Sequence, residues 1–230
     1  MPTYNERGCI EPMIEELRAL ALPGLSVLVV DDNSPDGTGA LADELAVRYP
    51  DFVSVMHRPG KKGLGAAYKA GFRWALDHGA ARVFEMDADF SHPVSAVPRM
   101  LEIAERCDFV VGSRFTGGAS LGERWGAGRR LLSWAGNAYS RELTGVPVVD
   151  ATAGFTCIRR EVLEAVNLAS IKSEGFAFQV ELKYLSHRKG FRICEIPIHF
   201  GQRRDGKSKM SLGIMLEAFW RVVELRLRRR

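Results

Sequence analysis

The feature that most constrains this chain is an alternation. Short apolar runs, several ending in charged residues, are separated by stretches with helical periodicity. Ser26–Val30 runs into Asp31-Asp32, Arg82–Met86 into Asp87, and Phe109–Val111 into Gly112-Ser113-Arg114. Val53–Met56, Phe155–Ile158 and Ile193–Ile198 are further runs of this kind. Helical patterns cover about Ile10–Leu20, Thr38–Tyr49, Gly65–His78, Val94–Glu105, Leu131–Leu143 and Phe178–Lys189. Strands alternating with helices predict an α/β fold around a mostly parallel sheet. In such sheets ligands bind beyond the carboxyl ends of the strands, where Asp31-Asp32, Asp87 and Arg114 fall. With 230 residues, 46% hydrophobic and 26% charged, the chain can bury one core of this class; a disordered, collagen-like or disulfide-scaffold protein is excluded.

The start of the chain departs from this plan. An α/β domain opens with a strand, yet Pro2-Thr3-Tyr4-Asn5-Glu6 reads as a loop leading into a helix. The first strand is therefore expected to be missing, which would expose ladder groups on its neighbours. The polar first residues do not read as a signal peptide. No apolar run reaches the roughly 18 residues of a membrane span. The four cysteines, Cys9, Cys107, Cys157 and Cys194, have no zinc-ligand spacing and are expected to be reduced, mostly buried thiols.

Two acidic loops carry metal and ligand chemistry. Asp87-Ala88-Asp89 follows a strand directly, so both carboxylates share one loop. With diphosphate oxygens they would complete a hard, oxygen-rich site for Mg²⁺ or Mn²⁺. In Asp31-Asp32-Asn33-Ser34-Pro35-Asp36-Gly37-Thr38, Asp36 and Thr38 suit helix capping, and Asp32 is the better candidate to meet a ribose or a base. The glycines of Lys61-Lys62-Gly63-Leu64-Gly65 open a helix, a place that favours anions, although no Walker motif is present. Among the histidines, only His92 adjoins an acidic loop.

Charge divides the chain in two. Residues 1–115 carry 12 basic and 17 acidic side chains, whereas residues 116–230 carry 20 and 11. Basic residues gather at Arg114, at Arg129-Arg130 near Ser133, and at Arg203, Lys207 and Lys209. Arginine forks and lysine point charges suit phosphate oxygens. A nucleic-acid module would need an aromatic platform or a recognition helix, and neither is evident. Ser211–Arg230 reads as an amphipathic helix with a basic end, suited to core packing or to a membrane interface.

Together these stretches resemble an inverting family-two glycosyltransferase, and more narrowly the polyprenol-phosphate (dolichyl-phosphate) mannosyltransferases. The resemblance rests on residues 2–6, 29–38, 63–68, 86–93, 112–115 and 203–209, in order across nearly the whole chain. It implies a nucleotide-sugar-binding fold of the GT-A type over residues 1–210, with residues 211–230 as a helix of the same domain or a membrane contact. It further implies that Pro2, Tyr4, Glu6, Val30 and Asp32 hold the guanosine nucleotide. Asp87, Ala88 and Asp89 would bind the metal and sugar nucleotide, with Ser91 beside the metal. Arg114, Arg129 and Ser133 would receive the lipid phosphate, and Arg203 and Lys209 would clamp phosphates. The catalytic set is then Asp89, Arg114 and Arg203. The implied reaction carries mannose from GDP-mannose to a polyprenyl or dolichyl phosphate. UDP-glucose is the alternative donor. The enzyme would sit peripherally on the cytoplasmic face of a membrane, through its own helices or a small membrane partner subunit.

Overall fold

A parallel ladder joins three strands at the amino-terminal side of the sheet: β1 (Pro2–Thr3), β2 (Val27–Asp31) and β3 (Val53–His57). Here the structure, a computed structural model, corrects the reading of Pro2-Thr3 as part of a loop. Pro2 aligns with Val30 and Thr3 with Asp31, so a two-residue strand is present where a loop was expected. Its brevity and its proline hid it from a reading by alternation. The structure describes residues 1–122, 126–201 and 212–227, without side-chain placement for Arg129 or residues 212–218.

A second ladder has the order β4 (Arg82–Glu85), β7 (Thr156–Arg159), β5 (Phe109–Ser113), β8 (Ile193–Pro197). β7 is antiparallel to both β4 and β5, and β8 is parallel to β5. β4 and β5 therefore run the same way, so Asp87 and Arg114 leave the sheet at the same end. Two short strands, β6 (Ser120–Leu121) and β9 (His199–Phe200), pair beyond that end.

Helices cover both faces. α1 (Arg7–Ala19) buries Ile10, Met13, Ile14 and Leu17, a helical stripe, against the core that also receives α2 (Thr38–Arg48) and α4 (Val97–Ile103). α3 (Leu64–Asp77), α6 (Arg160–Ala165) and α7 (Gly175–Arg188) build a second core around Phe72, Phe109 and Phe178. Each such fully buried ring contributes about 1.5–3 kcal/mol. α5 (Ala127–Thr144) and α8 (Leu212–Leu227) pack on each other, with Tyr139 stacked on Phe219 at 4.6 Å. α8 also packs on α7 and places Val222 and Leu225 in the second core.

The cysteine expectation is also corrected. Cys9 and Cys157 are buried thiols, but Cys107 and Cys194 form a disulfide with Cα atoms 6.1 Å apart. Cys107 lies just before β5 and Cys194 lies on β8, the strand paired with it. A separation of 87 residues concealed that proximity.

Candidate active site

The loop after β4 is tightly built. Asp89 Oδ1 accepts from the Ser91 N–H at 3.0 Å and from its hydroxyl at 2.6 Å, which folds the loop back on itself. Phe90, between them, sits in the left-handed region at φ 64°. Such backbone persists in a non-glycine residue only where its surroundings over-determine it. Two neighbours do so here: the Asp87 N–H donates to His92 Nδ1 at 3.0 Å, and the His92 ring stacks on Phe155. The proton of that imidazole therefore belongs on Nε2. The Tyr68 hydroxyl donates to Asp87 Oδ1 at 3.3 Å, and burial beside the acidic loop holds its pKa well above the usual phenol range.

Gly201 closes on the same loop. Its N–H donates to Ser91 O, and a Cβ at Gly201 would lie 2.7 Å from Phe90 O. Only glycine allows this approach, which brings the chain leading to residues 203–209 against the carboxylate loop. Arg203, Lys207 and Lys209 themselves lie outside the described residues.

The loop after β2 divides its two aspartates. Asp31 is a structural pin: it accepts from the Thr3 hydroxyl, the Ser34 N–H and the Ser34 hydroxyl. Asp32 is paired with Arg58 at 2.6 Å, a residue the sequence reading had not singled out. Burial raises the pKa of Asp32 against the pull of Arg58. Asp36 accepts from the Thr38 N–H and hydroxyl, and Thr38 accepts from the Glu6 N–H. These bonds lash the 2–6 segment to the start of α2. Lys61 lies over the Tyr4 ring at 4.7 Å, and Val30 is buried beside Pro2. The glycine loop at the start of α3 faces a protein anion: Glu174 accepts from the Ala66 N–H and crowds Gly63. A carboxylate of the chain itself thus takes the place that the sequence marks as favouring an anion.

Arg114 is held from below. Its Nε and Nη2 donate to the two oxygens of Asp150 at 2.8 and 2.7 Å, and its backbone N–H donates to Asp150 at 2.9 Å. Asp150 is fully buried; burial opposes its charge, but Arg114 outweighs it and keeps its pKa below the usual range. Arg114 Nη2 also donates to the Thr152 hydroxyl, and the Thr152 N–H donates to Asn137 Oδ1. Asn137 is one helical turn beyond Ser133 and donates to its carbonyl. Arg114 and the Ser133 turn of α5 are thereby brought together, with Arg129 one turn earlier on that helix.

No cluster of three or more metal-ligating His, Cys, Asp or Glu side chains exists among the described residues. Asp87 and Asp89 offer hard oxygens on one loop, the donor set of a Mg²⁺ or Mn²⁺ that completes its shell with substrate phosphates rather than in a protein cage. The residues present fit such an ion.

The chain is similar to known proteins over most of its length. The model of the family described as glycosyl transferase family 2 matches residues 1–166. Polyprenol monophosphomannose synthase of Mycolicibacterium smegmatis is 46% identical over all of this chain and 86% of that protein. Undecaprenyl-phosphate mannosyltransferase of Micrococcus luteus is 46% identical over 95% of this chain and 88% of its own. Among solved structures, glucosyl-3-phosphoglycerate synthase from Mycobacterium tuberculosis, in complex with Mn²⁺, UDP-glucose and phosphoglyceric acid, superposes with a TM-score of 0.66 at 19% identity, covering 96% of this chain and 77% of that one. That likeness bears on the fold, which is of the GT-A type.

Proposed function

This chain belongs to glycosyl transferase family 2, and on that premise we propose that it transfers mannose from GDP-mannose to a polyprenyl phosphate, with inversion at the anomeric carbon. One observation carries the reading: the carboxylate loop after β4 and the Arg114–α5 cluster lie at the same end of the sheet. A diphosphate donor and an anionic acceptor can thus meet over one surface. The two mannosyltransferase relatives, similar over nearly the whole chain, support the acceptor class.

The acceptor is already a nucleophile. A phosphate monoester is anionic at neutral pH, so its oxygen can attack the anomeric carbon without a strong general base. The new C–O bond forms as the bond from that carbon to the GDP oxygen breaks, and an α-linked donor gives a β-linked product. Asp87 and Asp89 would hold Mg²⁺ or Mn²⁺, with Ser91 fixing Asp89; the ion supplies positive charge for the departing diphosphate. Arg114, oriented by Asp150 and Thr152, would attract the attacking phosphate together with Arg129 and Ser133. Pro2, Tyr4, Glu6, Val30 and Asp32 would receive the nucleoside, and Arg203 and Lys209 its phosphates.

The acceptor's tail stays in a bilayer, so the protein must reach one. No described helix is long and apolar enough to cross a membrane. α5 and α8 instead expose Leu131, Leu132, Trp134, Phe219, Trp220 and Leu227, with Arg130 and Arg226 beside them. An apolar and basic surface of this kind suits peripheral contact with an anionic leaflet, here the cytoplasmic one.

The test is a transfer assay with labelled GDP-mannose or UDP-glucose, a polyprenyl phosphate in detergent, and Mg²⁺ or Mn²⁺. Label from GDP-mannose alone enters the organic phase and is lost with EDTA. Label from UDP-glucose alone overturns the donor, and label from neither overturns the reading.

A further inference from the structure

α5 has two unlike halves. Ahead of Asn137 it stands clear of the body: Ala127, Gly128, residues 130–132 and residues 134–136 are exposed, and Ser133 is half-buried. From Asn137 onward it is anchored. Asn137, Ser140 and Thr144 are buried, and the Tyr139 hydroxyl donates to Phe219 O of α8. Arg129 and Ser133 therefore belong to a projecting arm, and the direction of that arm is set where it meets the body.

The meeting point is Asn137, only 2% exposed. Asparagine is a poor helix former, and a buried amide is costly unless both of its ends are bonded. Here both are. Nδ2 donates to Ser133 O at 3.0 Å, inside the helix, and Oδ1 accepts from the Thr152 N–H at 3.0 Å, outside it. A carbonyl can only accept and a peptide N–H can only donate, so these partners fix which way the amide points. Thr152 in turn accepts from Arg114 Nη2 at 2.8 Å. The residue just before, Gly136, gives the helix little stiffness of its own. A Cβ there would meet nothing within 4 Å, so packing does not call for a glycine, and a glycine inside a helix weakens it.

We infer that Asn137 is a positioning residue: it is the fulcrum that aims the exposed arm of α5 at Arg114 and so sets the spacing of the groups that receive the acceptor phosphate. The inference rests on the reading of Arg114, Arg129 and Ser133 as that phosphate site. The lever gives the size of the effect. At 1.5 Å per residue, Ser133 lies about 6 Å and Arg129 about 12 Å along the helix from Asn137. A tilt of about 10° at the fulcrum moves them by about 1 and 2 Å. Misplacement by about 1 Å can cost about a hundredfold in rate.

Two variants test this. Asn137→Leu keeps the side-chain volume and removes both bonds. Asn137→Ala removes both bonds while placing the best helix former in α5, so a role confined to the helix itself predicts no loss from it. Transfer is measured with GDP-mannose and a polyprenyl phosphate in detergent. The arm is followed by the distance between spin labels on Val47→Cys and Ala127→Cys, both exposed positions. Cys9 and Cys157 are buried and Cys107–Cys194 is a disulfide, so the labels go to the introduced thiols. In both variants kcat/KM for the polyprenyl phosphate is expected to fall about tenfold or more, while the KM for GDP-mannose stays within about twofold. The label distance is expected to broaden by about 3 Å, the swing of an arm of ten residues. An unchanged label distance overturns the inference, and so does a loss that raises both Michaelis constants alike. Should Asn137→Leu fail to fold, Asn137→Ala carries both measurements. A parent chain that transfers no mannose overturns the reading of the reaction alone, and the label distance still decides whether Asn137 aims the arm.

Discussion

Asp150→Asn tests the arrangement around Arg114. The pair is buried, with side-chain exposures of 9% for Arg114 and 0% for Asp150, and three donors of Arg114 converge on one carboxylate. An amide offers one acceptor where two are used and leaves the guanidinium charge uncompensated. Breaking a buried pair this way costs about 3–5 kcal/mol. At about 2–4 °C per kcal/mol for a domain of this size, the midpoint falls by roughly 6–20 °C. Calorimetry and urea unfolding measure the loss. The double variant Arg114→Met with Asp150→Leu separates structure from chemistry. An apolar pair of similar volume removes both buried charges and should restore part of the stability, less the cost of the Arg114 N–H that loses its acceptor. If Arg114 meets the acceptor phosphate, transfer stays lost in that stable protein. A single variant within about 1 kcal/mol of the parent would refute the buried pair, and a stable, active double variant would show that Arg114 only braces the fold.

Other consequences can be measured alongside. Asp89→Ala should abolish transfer while circular dichroism and cooperative unfolding persist; near-normal transfer would remove Asp89 from the proposed metal site. Reducing Cys107–Cys194, whose partners are 87 residues apart, should cost up to about 4.6 kcal/mol on the chain-entropy account, read as a lower urea midpoint with reductant. Asp150 has a folded pKa below its unfolded one, so its stabilisation is complete above about pH 4 and is lost as pH falls through the folded value. Acid unfolding of Asp150→Asn should accordingly lose that share of its pH dependence. Leu131→Ser with Trp220→Ser, both at exposed positions, should weaken binding to anionic vesicles several-fold without moving the thermal midpoint.

The strand–helix alternation made most of the sheet legible, because burial imposes a period that a single sequence displays. β2, β4, β5 and β8 start and end within a few residues of the expected runs. The two-residue strands β1, β6 and β9 were illegible, since two residues carry no period. The carboxylate loop was legible as a motif, but not its bracing: Tyr68 comes from α3, His92 accepts the Asp87 N–H, and Gly201 arrives from beyond β9. Arg58 was missed as the partner of Asp32, although its position just after β3 repeats the strand-end pattern that exposed Asp87 and Arg114. Asp150 had no local signal, because its meaning lies in a contact 36 residues away.

The buried polar groups beneath the site pose the remaining physical question. Glu85 is fully buried and accepts from the Thr156 hydroxyl at 2.7 Å and from Gln179 Nε2 at 3.0 Å. Lys183, also fully buried, donates to Ala153 O at 2.7 Å. Burial pushes the Glu85 pKa up and the Lys183 pKa down, each restrained by the charge of the other. Glu195 adds acceptors for the Val149 and Asp150 N–H groups. Apolar residues of like volume would stabilise such a core equally well or better, so stability alone does not account for these charges. Their placement does. Glu85 is two residues before Asp87, Thr156 lies on the strand between β4 and β5, and Asp150 grips Arg114 at the end of β5. Directional bonds through α7 therefore tie the carboxylate loop to the arginine across an intervening antiparallel strand. An apolar contact could slide there by a fraction of an ångström; a set of hydrogen bonds with fixed donors and acceptors cannot. For the proposed reaction, which would depend on holding two anionic groups in line, that rigidity is the property the fold must supply.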